Sequence, residues 1–332
     1  MAVIEIAIDM GSSNTTIYKK GSGIVLKEPS VLCLQNNDKV FKVLAIGNDA
    51  KKMQGRNEDD SVIVSPIVEG VVKNIELATE MMKHFLAKIS PRPFTKYKAL
   101  VCLPCGVTED EMQDFRKVMY SSGVGRVSFA SSLVCMALGN INAPETKAYL
   151  GVNIGGGKTE VGAILNNVIL SGCSVGIGGK MMDSAICEYV KEGHNLKISN
   201  ITAEKVKNEI ATLYDTDKSN LEVSGADLMS NRYVTDIVHA REVRDSIIGY
   251  FDRIVAAILS VINECQPDVV ADIHERGIYV CGGVSQTTGI ETYLRKLLDV
   301  PVVVCDQPEN IVILGAGKLI SDSALYSEIV GE

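Results

Sequence analysis

The sequence has no tryptophan, no excess of basic residues, no low-complexity segment and no apolar run long enough to cross a bilayer. The missing tryptophan excludes nothing about the fold. The charge balance excludes more: at a net charge of −8 the chain lacks the basic face that neutralises nucleic-acid phosphates. The apolar stretch Ile254 to Leu259 is flanked by Arg253 and Ser260. It falls far short of the roughly 18 to 20 residues that span a membrane. Four histidines, His84, His194, His239 and His274, share no metal-ligand spacing. Nine cysteines include one C-x-x-C, Cys102 to Cys105, but no second pair or nearby histidine completes a zinc site. That pair follows a strand and precedes a helix, as in thioredoxin, yet the surrounding chain has neither thioredoxin's size nor its order. The first residues already read as a strand, so neither signal peptide nor anchor helix is expected. An odd cysteine count then fits a reducing cytoplasm.

What is present is enough for two globular domains. The chain has 332 residues, 46% of them apolar and 22% charged, and domains run to about 150 residues each. Its organising feature is a repeat. Asp9-Met10-Gly11-Ser12-Ser13-Asn14-Thr15 follows the apolar run Val3 to Ile8, and Asn153-Ile154-Gly155-Gly156-Gly157-Lys158-Thr159 follows Tyr149 to Val152. Each loop is followed by a β-type run, a turn and a third apolar run. The copies align without a gap at an offset of 144 positions, Asp9 to Asn153. Loops of small residues expose backbone N–H groups that cradle phosphate. Two facing loops suit a phosphate chain gripped from both sides.

The rest of the chain alternates strands and helices. Strands are expected at Ser30 to Leu34, Val40 to Ile46, Tyr97 to Leu103 and Arg126 to Phe129. Asn36 to Asp38 reads as a turn, and Gln54 to Asp60 and Ser90 to Lys96 as loops. Helices are expected at Asn48 to Met53, Glu76 to Ala87, from the capping box Thr108 to Glu111 onward, and at Leu133 to Leu138. In the second half, Lys180 to Glu192, Thr202 to Leu213 and a long Ala240 to Cys265 read as helices, the last with a core-facing stripe. Leu221 to Val223, Gly277 to Cys281 and Val300 to Cys305 read as strands. A helix is expected after Gly282-Gly283-Val284-Ser285, and a last one from about Glu309 to Ile320. The pattern indicates α/β domains with mixed sheets.

Gly157-Lys158-Thr159 imitates the end of a P-loop. A Walker A motif needs glycine where Val152 stands, and it leads into a helix rather than the hairpin expected here. Three glycine clusters read better together. Gly11 with Ser12, Ser13 and Asn14 would bind phosphate, as would Gly155, Gly156 and Gly157 from the other side. Gly282 and Gly283 would approach a flat base with no Cβ in the way. Asp9, at a strand end beside the first loop, would hold Mg²⁺ through water.

The chain resembles the MreB family of bacterial actins over essentially its whole length. The resemblance is carried by Ile8 to Thr15, Gly23 to Val31, Pro66 with Gly70 to Val72, and Asn153 to Glu160. It continues through Gly178-Gly179, Thr202 to Lys207, Ala271 to Ile278 and Ile313 to Gly317, all in the family's order. It implies an actin-like fold, shared with sugar kinases and heat-shock chaperone ATPases, and ATP or ADP in the cleft. It also implies polymerisation with itself into double or antiparallel protofilaments, with related actin homologues as further candidate partners. Glu204 and Lys207 are expected near the adenosine, and Gly282, Gly283, Val284, Ser285 and Gln286 along the base. Residues 1–142 with a C-terminal helix at about 309–332 are expected to form one domain, and 143–308 the other.

The departures carry the functional expectation. The family usually has Glu-Glu-Pro where this chain has Ser131-Ser132-Leu133, Asp where it has Asn153, and Thr where it has Lys158. One of those glutamates positions the attacking water. Loss of such a group costs about 10²- to 10⁴-fold in rate. Hydrolysis is therefore expected to be very slow or absent, unless a neighbour such as Glu160 takes over. Lys158 should favour bound phosphate. A sugar or acid kinase of the same superfamily is the rival reading, disfavoured by the same missing carboxylates. The Ser90–Lys96 loop stands where the family attaches to membrane. It offers Phe94 and Arg92, and with Lys96 and Lys98 a cation adds about 1 kcal/mol each toward anionic lipid; a solvated loop is the alternative.

Overall fold

The computed structural model describes residues 3–37, 40–54, 61–90, 95–140, 142 and 146–331. Of the turn expected at Asn36 to Asp38, Asn36 and Asn37 continue the strand Leu32–Asn37; Asp38, most of the loop from Gln54 to Asp60, and Phe94 and Arg92 lie outside the described residues. Two five-stranded sheets dominate. In the first, Val3–Met10 is central. It pairs antiparallel with Asn14–Lys19, which pairs with Gly23–Pro29. On its other side it runs parallel to Lys96–Leu103, which is parallel to Val124–Ser131. The second sheet repeats this plan. Tyr149–Ile154 is central, Thr159–Leu165 and Val168–Val175 fold back as a meander, and Ile278–Cys281 and Val302–Val304 lie parallel beyond.

The central strands are apolar because they are covered on both faces. Ile6, Ala7 and Ile8 are fully buried, as are Leu150 and Val152. Between the sheets lie two short helices, Ser132–Gly139 and Ile311–Ser321, packed against each other, the second of them also against the opening strand. Their contact is backbone on backbone. A methyl on Gly315 would fall 1.7 Å from the Cys135 carbonyl oxygen, and one on Gly139 would fall 2.2 Å from that of Ile311. The buried cysteines Cys102, Cys135, Cys281 and Cys305 belong to the core around these helices. Cys102 and Cys135 place their sulfurs 3.9 Å apart. The helix near the C-terminus thus packs on elements of the first half.

Smaller sheets decorate each half: Leu32–Asn37 with Val40–Ile46 and Ser61–Val64, and Leu196–Lys197 with Asn220–Asp227 and Tyr233–His239. Tyr233–His239 was not expected from the sequence, because its side chains are almost all exposed and show no buried face. Pro267–Arg276 is a further unexpected helix, opened by proline and closed at Gly277, whose φ is +84°. After Gly282 the chain makes a single tight turn, Gly283–Gln286, before the helix Ile290–Leu298. The last expected helix is two, because the Asp322 side chain accepts from the Ala324 and Leu325 amides and starts Ser323–Val330 afresh. Val124–Ser131 extends beyond the strand expected at Arg126 to Phe129. Among the described residues, no helix is long and apolar enough to cross a membrane.

Gly315→Ala must separate the two central helices, and overpacking typically costs about 1–3 kcal/mol or more. Gly249, in a helix with open space around its Cα, tolerates Ala and should gain up to about 1 kcal/mol. Thermal melts of the two variants should therefore shift in opposite directions.

Candidate functional site

The two central strands end on the same side, and their loops meet over a cleft of about 450 Å³. From the first half come Asp9, Gly11, Ser12, Ser13 and Asn14, and from the second Asn153, Gly155, Gly156, Gly157 and Lys158. Gly179, Glu204, Lys207, Gly282, Gly283, Val284 and Gln286 complete the expected set along its walls. The repeat is exact in register: Asp9 faces Thr16 across the first hairpin, and Asn153 faces Glu160 across the second. The loops touch. A methyl on Gly156 would lie 1.8 Å from the Ser13 hydroxyl, so only glycine allows this approach. The Ser12 hydroxyl accepts from the Gly70 amide at 2.9 Å, and the Lys180 ammonium donates to the Ser12 carbonyl.

Three expected residues do not reach the cleft wall. Gly178 sits behind the second loop, and the Gly179 and Lys180 amides donate to the Gly155 and Gly156 carbonyls at 3.0 and 2.8 Å. The start of that helix therefore braces the loop. Ser285 is buried and donates to the Gly282 carbonyl at 2.7 Å, which holds the tight turn. Ser131 has a buried hydroxyl with no partner, whereas Ser132 lines the cleft. Sequence alone left open which of the two serines faces the site.

Ser132 and Asn153 share one neighbour, Glu160. Its Oε1 accepts from the Ser132 hydroxyl and the Cys105 amide, both at 2.6 Å, and its Oε2 accepts from the Asn153 amide at 3.0 Å. Burial pushes the Glu160 carboxyl up, opposed by these hydrogen bonds and by the Lys158 charge. Asp9 is pushed up to about 7, first by burial and then by the charge of Glu160, against the pull of Lys27.

Other cleft residues escaped the sequence reading. Asp183 pairs with Lys207 at 2.6 Å, and Lys207 also donates to the Gly179 carbonyl at 3.0 Å. Lys27 pairs with Glu309 at 2.6 Å, and Gln286 donates to the same carboxylate at 2.8 Å. Asp183 had one signal, a position one turn into the helix that begins at Gly179. Lys27 and Glu309 had none, since 282 residues separate them. At the rim, Lys51 pairs with Glu204 at 2.7 Å and so joins the two halves.

A family model described as MreB/Mbl protein matches residues 3–328. The chain belongs to the MreB/Mbl family. The cell shape-determining protein Mbl of Bacillus subtilis (strain 168) is 32% identical over 321 residues, covering 96% of both chains. The cell shape-determining protein MreB of Escherichia coli (strain K12) is 32% identical over 320 residues, 95% of this chain and 92% of that one. Among solved structures, MreB5 of Spiroplasma citri bound to AMPPNP superposes with a TM-score of 0.90 at 27% identity, covering 99% of this chain and 98% of that one. The same protein bound to ADP gives 0.91. The fold is the actin-like one expected from the sequence.

For a carboxyl whose folded pKa is raised, the favourable contribution is complete below the unfolded value of 3.8 and is lost as pH rises through about 7. Asp9→Asn removes that burden. In the ligand-free protein its melting temperature should match the parent near pH 4, pull ahead between about pH 4 and 7, and hold a constant lead of several degrees above. A lead that does not change with pH would show that Asp9 is not perturbed.

Proposed function

We propose that this member of the MreB/Mbl family binds ATP or ADP between the two loops and assembles with copies of itself into cytoskeletal filaments. We further propose that it hydrolyses nucleotide very slowly or not at all. Supporting the nucleotide is a cleft walled by paired small-residue loops and a glycine turn, together with relatives solved with AMPPNP and ADP. Supporting the filament is kinship with cell shape-determining proteins. An open head-to-tail contact propagates without closing. The proposed division is residues 1–142 with 309–332 against 143–308, the nucleotide drawing the halves together (a hinge-type closure).

The observation that carries the reading of weak hydrolysis is the environment of Glu160. A general base needs a free oxygen within reach of the water it activates. Three neutral donors fill three of the roughly four acceptor sites of the Glu160 carboxylate and fix its orientation toward Ser132, Cys105 and Asn153. Where the resemblance implies carboxylates, Ser132 and Asn153 supply those donors. The site therefore positions phosphate and leaves the water without an oriented base. A kinase reading meets the same obstacle, and no observation favours it. Within the proposed membrane contact, Lys96 is exposed, whereas the Lys98 ammonium lies 4.3 Å from the centre of the Tyr326 ring and is engaged there.

Sedimentation in ATP, in ADP and without nucleotide, followed by electron microscopy, tests assembly; no pelletable filament in any condition would remove that reading. Phosphate release tests hydrolysis. Changing Ser132→Glu, Asn153→Asp and Lys158→Thr together should raise the rate by about 10²-fold or more. A parent rate already equal to that of the MreB or Mbl relatives would contradict it.

A further inference from the structure

Three lysines line the cleft, and two of them are committed. Lys27 is held by Glu309 and Asn310, and Lys207 by Asp183 and the Gly179 carbonyl. Lys158 makes no hydrogen bond or ion pair with any described residue. It projects from the second phosphate loop, at the position that Asn14 occupies in the first, and its side chain passes beside Gly70. Its charge is felt by Glu160, yet the ammonium, on a loop shaped for phosphate, has no hydrogen bond or ion pair among the described residues to hold it away from an anion.

Among the described residues, the same corner offers a divalent cation a single free carboxylate, Asp9. Magnesium at a nucleotide takes one or two carboxylates together with phosphate oxygens and waters. Glu160 already accepts three hydrogen bonds, two at Oε1 and one at Oε2. Asn153 and Ser132 are neutral and would offer a cation only uncharged oxygens. Asp9 alone stands free, and its carboxyl lies in buried surroundings beside Glu160. Among the described residues, no group of three His, Cys, Asp or Glu side chains could hold a metal ion.

We propose that Lys158 is a built-in counter-ion for the nucleotide phosphates, standing where a divalent cation would otherwise be needed, so that nucleotide binding does not depend on magnesium. This rests on the reading of the cleft as a nucleotide site. The two changes act together. Loss of carboxylates removes repulsion toward phosphate, and Lys158 adds attraction through a charge-assisted hydrogen bond. A fixed ammonium cannot be chelated and is not diluted.

The test is the affinity for radiolabelled ATP by equilibrium dialysis, in magnesium chloride and again in EDTA. The parent should bind equally, within about threefold, in both. Lys158→Thr should weaken binding in EDTA on the order of 10- to 100-fold and recover part of it with magnesium. Lys158→Arg should stay independent of magnesium, and melting curves of both variants show whether the fold is kept. A parent that loses ATP in EDTA overturns the inference while leaving the nucleotide reading intact. So does a Lys158→Thr variant that binds like the parent in EDTA. No binding by the parent in either buffer overturns the nucleotide reading, and this inference with it.

Discussion

The closest constraint in the molecule is the meeting of two backbones. Helices Ser132–Gly139 and Ile311–Ser321 approach until Gly139 lies against the Ile311 carbonyl and Gly315 against that of Cys135. No side chain fits between them. This contact fixes how far apart the two sheets stand, because the helices fill the space between them. The sheets in turn fix the ends of their central strands, and the strand ends carry the loops. The approach of Gly156 to Ser13 is therefore decided well below the cleft, by packing rather than by the loops themselves. A close-packed interior transmits such a constraint with little slack.

Within that frame the chemistry of the cleft is a redistribution of charge. The repeat places Asp9 and Asn153 at equivalent strand ends, and Thr16 and Glu160 at equivalent facing positions. One acid thus stands in each half, at non-equivalent places. Glu160 is fastened by Ser132, Cys105 and Asn153. A carboxylate that accepts three hydrogen bonds is a structural member, and removing one donor would leave a buried oxygen unsatisfied. Ser132 and Asn153 are thereby tied to each other through a residue that neither neighbours in sequence. Such residues are expected to change together or not at all.

The architecture was largely legible in the sequence because it repeats. A gapless offset of loop, strand, turn and strand announced two similar halves, and the apolar runs named the central strands. The glycine clusters marked the walls of the cleft for a simple reason: close backbone approach leaves few other residues. The fastening of Glu160 was not legible, since its donors come from a helix start, a loop and a strand far apart in the sequence. Nor was the placement of Ser285 and Gly178, which look like wall residues but hold the turn and the loop from behind. The strand Tyr233–His239 was hidden because exposed residues leave no alternation to read. Pro267 and Gly277 are the start and stop signals of the helix between them.

The sulfurs beneath the cleft have a practical meaning. Cys102 and Cys135 are buried in the core around the two central helices, and the hydrogen bond to Cys135, together with burial, raises the Cys102 thiol well above its ordinary pKa. Thiolate is the form that reacts, so these groups are nearly inert while the core stays closed. They become reactive only when the packing around the helices opens. The rate at which a small alkylating reagent labels Cys102 is then a clock for that opening, running from within the joint that sets the two halves apart.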